Sequence, residues 1–275
     1  MVSKTGDVRT KHEADLAWIT KQIREQGLAA YEEKLLSLIR PGIRIQTKKP
    51  GAKTTAIGTS HIGGNPDLPA DLAWPQGGEG MLFVAQLNLA VISPMDTRNL
   101  LPQNGLLSFF VDRYVDVLQV FHFPDIATLS TRENTFEPFS YCDITLTPEL
   151  HLPPPSSHFI GFEAPAARPG SADRMESQLA LPQGVFEKYW DHVYLAFVAA
   201  IEGKRRAGEN AVHQVLGYAH GLDDTGAQAV DEELLLAFDT DDNAQMEWGD
   251  CQRPAIFIKR EDLLARRFDR VRVTT

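Results

Sequence analysis

Two apolar stretches decide the fold, and they read Leu82-Phe83-Val84-Ala85-Gln86-Leu87-Asn88-Leu89 and Leu234-Leu235-Leu236-Ala237-Phe238-Asp239-Thr240-Asp241. Each is a short, continuous apolar run, which is typical of a buried strand. A histidine and a glycine turn precede each run, at 61–64 and at 213–218, and a second strand-like segment follows, at 105–111 and at 252–258. Because the motifs come in the same order twice, the sequence predicts an internal duplication over about 59–147 and 211–273.

The remaining patterns predict how the rest of the chain is organised. Residues 1–41 carry apolar side chains at helical spacing and end at a proline, so we expect an N-terminal helical arm before one domain at 42–275. An amphipathic helix is predicted at 185–206, and a Pro- and Ser-rich connection at 148–182. The expected fold class is α+β, with mostly antiparallel sheets in two internally repeated lobes and with packed helices.

Composition narrows the classes of function. The chain has 275 residues and a formal net charge of −10, which opposes binding to nucleic acid through repulsion from phosphate and suits a basic protein partner. No apolar run approaches the length needed to cross a membrane, and the first residues lack the apolar core of a secretory signal. We therefore expect a cytoplasmic protein with an unidentified protein partner and with no membrane or nucleic-acid contact.

One acidic loop has the residue types of a metal site. Oxygen-bearing side chains recur at a spacing close to that of an EF-hand calcium loop, at Asp239, Asp241, Asn243 and Asp250. The pattern departs from that loop at Ala244, where the EF-hand needs a glycine for its sharp turn. A solvated acidic hairpin loop is the interpretation that we favour, so no cofactor is expected, and calcium is the ion that the loop would suit as a metal site.

His61 and His213 come at matching places in the two halves. Such a pair can act as general base and general acid beside a carboxylate. Equivalent positions of a duplicated fold also need the same structural hydrogen bond, and a histidine beside a glycine turn often binds backbone carbonyl groups. The structural role is the one that we favour.

From residue 59 to residue 273 the chain resembles the YwqG-like family of bacterial proteins. The motifs that carry the resemblance are Gly63-Gly64-Asn65-Pro66-Asp67-Leu68-Pro69, Trp74-Pro75, 83–89, 102–110, 213–218, 234–241 and Trp248-Gly249-Asp250-Cys251. Two positions depart from the family pattern, since Ala237 replaces a glutamine and Gln252 replaces a glycine. The resemblance implies a mixed α+β fold, no assigned chemistry, and an association with secreted toxins and their immunity proteins.

These observations favour a protein-binding module, immunity- or toxin-associated, over an enzyme. Its surface would combine the Gly-Pro loop around 65–74 with the acidic loop around 239–250. The expected binding residues are His61, Asn65, Asp67, Trp74, Gln86, His213, Tyr218 and Trp248. Two alternatives stay open. One is a metal-assisted hydrolase that uses the acidic loop with His213, and the other is a small-molecule sensor with a pocket between the lobes.

Overall fold

The computed structural model describes residues 7–49, 56–77, 80–134, 136, 138–155, 157–163, 177–202, 211, 213–220, 228–249 and 253–274. Fourteen strands lie within these residues. They are β1 (Arg40–Lys48), β2 (His61–Ile62), β3 (Asp67–Pro69), β4 (Met81–Asn88), β5 (Leu106–Asp112), β6 (Leu118–Phe123), β7 (Leu129–Thr131), β8 (Cys142–His151), β9 (Ile160–Glu163), β10 (Leu179–Pro182), β11 (His213–Leu216), β12 (Glu232–Ala237), β13 (Ala255–Lys259) and β14 (Val271–Thr274).

The described helices are fewer than the strands. They are α1 (Val8–Glu25), α2 (Glu32–Ser37), α3 (Leu89–Ile92), α4 (Gln183–Lys188), α5 (Leu195–Glu202) and α6 (Arg260–Leu264). A π-helical segment, Tyr189–Tyr194, joins α4 to α5, so that 183–202 forms one continuous helix. Within the described residues, no helix combines the length and the apolar composition that crossing a bilayer requires.

Ten strands form one antiparallel sheet in the order β14-β13-β12-β11-β1-β8-β2-β4-β5-β6. Its edge strands, β6 and β14, approach each other, so the sheet curves round and nearly closes on itself. The α+β class and the antiparallel pairing are confirmed. The two strand series do not form separate lobes, because both belong to this one sheet and extend outward from its centre at β1 and β8.

The main core fills the inner side of the curved sheet. It draws on strands of both halves, and its members include Ile43, Phe109, Leu236 and Ile256, each at most 1% exposed. A second core lies outside the sheet, where α1, α2 and the helix at 183–202 pack together through side chains such as Ile23. The sheet therefore has apolar packing on both faces around β1 and β8.

The helix α1 covers part of the edge of β8 that faces away from β1, where no strand of the described residues pairs with β8. β2 reaches only Cys142 and Asp143, which leaves the rest of that edge of β8 to other partners. There the Asp15 carboxylate accepts a hydrogen bond from the Leu150 backbone N–H at 3.2 Å. An uncovered strand edge would present unpaired backbone groups, and this contact satisfies one of them.

The predicted connection at 148–182 begins later than expected, because β8 continues to His151. Pro148 of β8 lies opposite Ile43 of β1, and Pro41 of β1 lies opposite Leu150 of β8. Alternate pairs of an antiparallel ladder exchange no hydrogen bonds, so a proline at such a position removes no ladder bond. We expect Pro41 to end the helical arm and Pro148 to begin a connection, whereas their register makes both compatible with a strand. Strands β9 and β10 also fall inside this segment.

We predict that Trp248→Ala lowers the free energy of unfolding by about 3 to 5 kcal/mol, because it removes a large buried side chain from the main core. Trp248 is 3% exposed, and its ring lies 4.9 Å from that of Phe238 and 5.4 Å from that of Phe139. Trp190→Ala is the matched control, since Trp190 is 40% exposed. Denaturant titration of both variants measures the losses. Equal losses in the two variants would contradict the prediction.

Candidate functional site

The expected binding residues of the Gly-Pro loop are engaged inside the protein. The Gln86 side chain accepts a hydrogen bond from the Asp67 N–H at 2.8 Å and donates to the Asp67 carboxylate at 2.7 Å. That carboxylate also accepts hydrogen bonds from the Gly58 N–H and the Thr131 hydroxyl. His61 Nδ1 lies 2.8 Å from the Gly63 carbonyl, and burial lowers the pKa of His61 to about 4. These contacts fasten the loop to the sheet, as the structural role of His61 requires.

Asn65 and Trp74 lie further out on the same loop. Asn65 is exposed, and its side-chain oxygen accepts a hydrogen bond from the Asn134 N–H at 3.0 Å. Trp74 is partly buried against Phe110 and donates its indole N–H to the Met81 carbonyl. The polar groups of both side chains thus also bind within the protein. Their role in partner binding stays a prediction.

The second expected cluster is a buried network around Asp241. The Asp241 carboxylate accepts hydrogen bonds from Thr47 Oγ1 at 2.5 Å and from His213 Nε2 at 3.0 Å. His213 Nδ1 in turn accepts the Asp239 N–H at 3.1 Å, so the ring is neutral and carries its proton on Nε2. Burial would raise the pKa of Asp241, but these hydrogen bonds outweigh burial and lower it. Both ring nitrogens of His213 are thus hydrogen-bonded within the protein, which leaves neither of them for a substrate.

The other residues of the acidic loop do not converge with Asp241 as metal ligands would. Asp239 pairs with Arg253 at 3.1 Å, and the Asn243 amide donates to Thr47. Asp250 lies outside the described residues. In the part of the chain that the structure describes, no three His, Cys, Asp or Glu side chains come together at one point. The calcium hypothesis therefore stays a prediction that depends on Asp250.

The two histidines lie on opposite faces of the sheet. His213 pairs with Ile45, and Ile45 pairs with Leu146. His61 pairs with Asp143, three residues before Leu146 on the same strand. Side chains opposite each other share a face and neighbours along a strand alternate, so the odd spacing puts His61 and His213 on different faces. They cannot act together as acid and base.

Tyr218 belongs to the core and not to a surface. It is 1% exposed, its hydroxyl donates to the Leu38 carbonyl, and burial raises its pKa to about 12. The Arg40 guanidinium lies over its ring, 4.8 Å from the centroid. Tyr218 therefore connects the segment after β11 to the helical arm.

For Asp241→Asn we expect a loss of at least about 2 kcal/mol in unfolding free energy, because the amide –NH₂ would face a hydrogen-bond donor. The loss should be the same in EDTA and in calcium chloride. Asp242→Asn is the matched control, since Asp242 is exposed. Thermal denaturation in both buffers provides the measurement. A melting temperature that rises with calcium in the wild type, and not in Asp241→Asn, would instead establish the calcium site.

The strongest candidate site is a cavity of about 330 Å³ on the outer face of β1 and β8, beneath the helical arm. We call it the arm cavity. Its walls come from α1, from the two central strands and from α5, and they combine apolar with charged side chains. The lining residues are Lys11, Ala14, Asp15, Trp18, Ile19, Arg44, Glu149, Leu150, Phe197, Ala200 and Ile201.

The register of β1 and β8 places the charged groups of the arm cavity. Gly42 pairs with Glu149, and Arg44 pairs with Thr147, so Arg44 and Glu149 are diagonal neighbours on one face. Their side chains form an ion pair at 2.5 Å. Burial raises the pKa of Glu149 to about 7 despite Arg44, which acts in the opposite direction. Glu149 can therefore gain or lose a proton near neutral pH.

Behind Glu149 lies a buried chain of three side chains. His151 Nε2 is 3.9 Å from the Glu149 carboxylate, and His151 Nδ1 is 3.1 Å from His220 Nε2. His220 Nδ1 is 2.8 Å from the Tyr194 hydroxyl, which the π-helical segment carries. Burial lowers the pKa of His151 to about 3 and that of His220 well below its ordinary value, so both rings are neutral. Neutral rings can each donate one hydrogen bond and accept another.

Two glycines make room for the His151 ring. A Cβ at Gly42 would lie 2.8 Å from His151 Nε2, and one at Gly217 would lie 3.0 Å from His151 Cγ. Gly217 also has a φ of +76°, which disfavours other residues there. The ring thus occupies a slot that larger residues would close, which fixes its position behind Glu149.

Polar atoms without a hydrogen-bond partner in the protein gather at this place. Among the described residues they include Arg44 Nε and His151 Nε2, and His12 Nε2 on α1. Leaving a buried donor or acceptor unpaired costs about 1 to 3 kcal/mol, so such atoms call for a partner from outside the chain. Water or a bound molecule in the arm cavity can supply it.

Residues 60–275 match a family described as a domain of unknown function, DUF1963. The chain belongs to this family. Comparison with curated proteins finds no match. The matched residues include Glu149, His151 and Phe197, whereas α1 and β1, with Arg44, precede them. The arm cavity is therefore formed partly by the family domain and partly by the segment before it.

Sequence reasoning missed the arm cavity because its residues are distant along the chain. The one available signal was Arg44 between Ile43 and Ile45 in a strand-like stretch, because Glu149 falls in the connection predicted at 148–182. A charge within a strand suggests an ion pair. The cross-strand register, which sequence alone does not supply, identifies the partner.

Glu149→Gln should become more stable relative to the wild type as pH rises. The folded pKa of about 7 exceeds the ordinary 4.5, so the wild type loses stability from this group between those pH values, by about 3 kcal/mol. The glutamine variant lacks that loss. Denaturant titrations from pH 4.5 to 8 test this, with Glu13→Gln as an exposed control that should show no trend. A stability difference that stays flat with pH would refute the assignment.

Proposed function

We propose that this protein binds a small molecule in the arm cavity. The observation that carries the proposal is a partly open cavity with mostly apolar walls, which contains the partly buried guanidinium of Arg44 with an unpartnered N–H. Ligand sites combine mostly apolar walls with a few fixed polar groups, and a volume of about 330 Å³ lies at the small end of their range. This is the sensor alternative of the sequence analysis, with the pocket at the arm instead of between lobes.

The π-helical segment supports the same location. Such segments are rare and often occur at functional sites. Here it directs Tyr194 to His220 and lies just before Phe197, which lines the arm cavity and packs 5.8 Å from the His151 ring. The distortion of the helix thus serves the polar chain behind Glu149. A regular helix would present these side chains at other angles.

A binding function is favoured over the hydrolase alternative. That alternative relied on Asp239, Asp241 and Asp250 together with His213. His213 and Asp241 use their polar atoms on each other and on neighbouring backbone and hydroxyl groups. A catalytic pair needs a reachable atom for substrate, and Asp241 and His213 are both 0% exposed. The protein-binding module, the cytoplasmic location and the association with toxins or immunity proteins stay proposals of ours. In this proposal, the bound molecule would regulate the binding of the protein partner.

We also infer that the domain arose by duplication and that its narrower affiliation is YwqG-like. The matching succession of strands supports the duplication, since β2-β4-β5-β6 and β11-β12-β13-β14 extend outward in the same order. Each series also has a register shift at the same pair of strands, at Val84 and at Leu235. The motifs at Gly63 and Trp248 support the affiliation.

The test compares Ala200→Phe with Ala199→Phe after incubation with small-molecule extracts from cells and removal of unbound compounds. Ala200 lines the arm cavity, and Ala199 is the neighbouring exposed residue of α5. Mass spectrometry should find a compound retained by the wild type and by Ala199→Phe, and depleted on Ala200→Phe because the phenyl ring fills the space. Retention of the same compounds by all three proteins, or by none, would refute the proposal.

A further inference from the structure

Resting on the proposed function, we propose that the ligand of the arm cavity is a small organic acid. Its carboxylate would bind the Arg44 guanidinium, and its apolar part would lie between Trp18 and Phe197. The carboxylate of the acid and that of Glu149 would then share one positive charge, so the acid enters together with a proton that Glu149 takes up from solvent.

The Arg44 guanidinium has an N–H group for which the described residues supply no acceptor. Arg44 Nη1 donates to the Ile201 carbonyl at 2.8 Å, and Nη2 contacts Glu149 at 2.5 Å, while Nε has no partner in the protein. A guanidinium binds carboxylates through adjacent N–H groups in a fork. The unpartnered N–H of Arg44 therefore suits an anionic oxygen better than any other common ligand group.

The acidic groups of the arm cavity already have cationic partners. Asp15 uses one oxygen on the Lys11 ammonium and the other on the Leu150 N–H. Glu149 uses one oxygen on Arg44. An amine would have to compete with these contacts, whereas a carboxylate meets a donor that is free. The cavity thus discriminates by charge in favour of an acid.

Binding an anion beside Glu149 changes the charge balance. Glu149 faces Arg44 on β1, His151 on its own strand, and Lys11, His12 and Asp15 on α1, and α5 contributes a backbone carbonyl. Lys11 is already paired with Asp15, so one guanidinium would serve two carboxylates. Like charges at one site cannot both remain ionised, and Glu149, with its pKa of about 7, is the group that accepts the proton.

The chain behind Glu149 can accommodate either protonation state. If Tyr194 donates to His220, the next donor is His220 to His151, and His151 presents Nε2–H toward Glu149. If the chain is reversed, His151 presents a lone pair at Nε2. An ionised Glu149 suits the first arrangement, and a protonated Glu149 suits the second. The unpartnered state of His151 Nε2 fits a group that serves both.

Size and walls limit the acid. A volume of about 330 Å³ corresponds to roughly ten water molecules, so a compound of about ten non-hydrogen atoms would fill it. Aromatic walls at Trp18 and Phe197 and aliphatic walls at Ile19 and Ile201 favour an apolar body. An acid with one carboxylate and one ring or branched chain meets both conditions.

The experiment uses three probes that differ in one group, namely 3-phenylpropanoate, 3-phenylpropanamide and 3-phenylpropylamine. Titration calorimetry of the full chain at pH 6.5 should show the acid binding at least about tenfold more tightly than the amide or the amine. Ala200→Phe should abolish that binding, and Ala199→Phe should leave it unchanged. Above pH 7 the affinity of the wild type for the acid should fall about tenfold per pH unit, because one proton is taken up.

Glu149→Gln is the decisive variant, because its amide mimics the protonated carboxyl group. It should bind the acid at every pH from 6 to 9 with the same affinity. The inference is wrong if the amide or the amine binds as tightly as the acid, if none of the probes binds, or if the wild-type affinity does not vary with pH. The proposed function would survive each of these results provided that the extract experiment yields a compound that Ala200→Phe loses. If that experiment fails too, both proposals are wrong.

Discussion

The pairing of β1 with β8 is the contact on which the rest of the structure depends. The two strands are far apart in sequence, yet they pair over nine residue positions, from Arg40 with His151 to Lys48 with Asp143. On either side of this pair the sheet continues into one strand series, through β11 on one side and β2 on the other. A change of register by one residue would move the side chains of one strand to the opposite face of the sheet relative to those of the other. The inner core and the outer polar cluster are therefore fixed by the same ladder.

The ladder places charged residues on the face of the sheet that α1 and α5 cover. The buried charges therefore need partners within this region. Arg44 and Glu149 lie beneath α1 and α5, where an unpaired charge would cost several kcal/mol. The ion pair between Arg44 and Glu149 reduces this cost, and His151 avoids the cost because its ring is neutral. Apolar residues in the same place would pack without an ion pair, and they would often make the protein as stable as the polar cluster does, or more stable. Stability alone therefore does not account for a polar cluster under a helix, and this supports the ligand site that we propose.

Local patterns predicted the local structure well. The apolar runs at 82–89 and 234–241 correspond to β4 and β12, and the helical spacing in the first 41 residues corresponds to α1 and α2. The proximity of His213 to Asp241 also followed the sequence, since both lie in the second repeat of motifs. What failed was pairing at a distance. The single continuous sheet, the prolines within strands, the opposite faces of the two histidines and the arm cavity all depend on cross-strand register. Spacing along a chain contains no information on which strands lie side by side.

The position of Arg44 outside the family match has a consequence for how function can be assigned. The family domain at 60–275 supplies Glu149, the histidine chain and Phe197, which are the proton-accepting side and one apolar wall. The segment before it supplies the cation, the second apolar wall at Trp18 and the contact from Asp15 that closes the edge of β8. In the ligand site that we propose, recognition of the carboxylate by Arg44 and uptake of a proton by Glu149 would come from two separate parts of the chain, joined by the β1–β8 ladder. The family domain forms one side of the arm cavity. The segment before it forms the other side, which would select the ligand by charge.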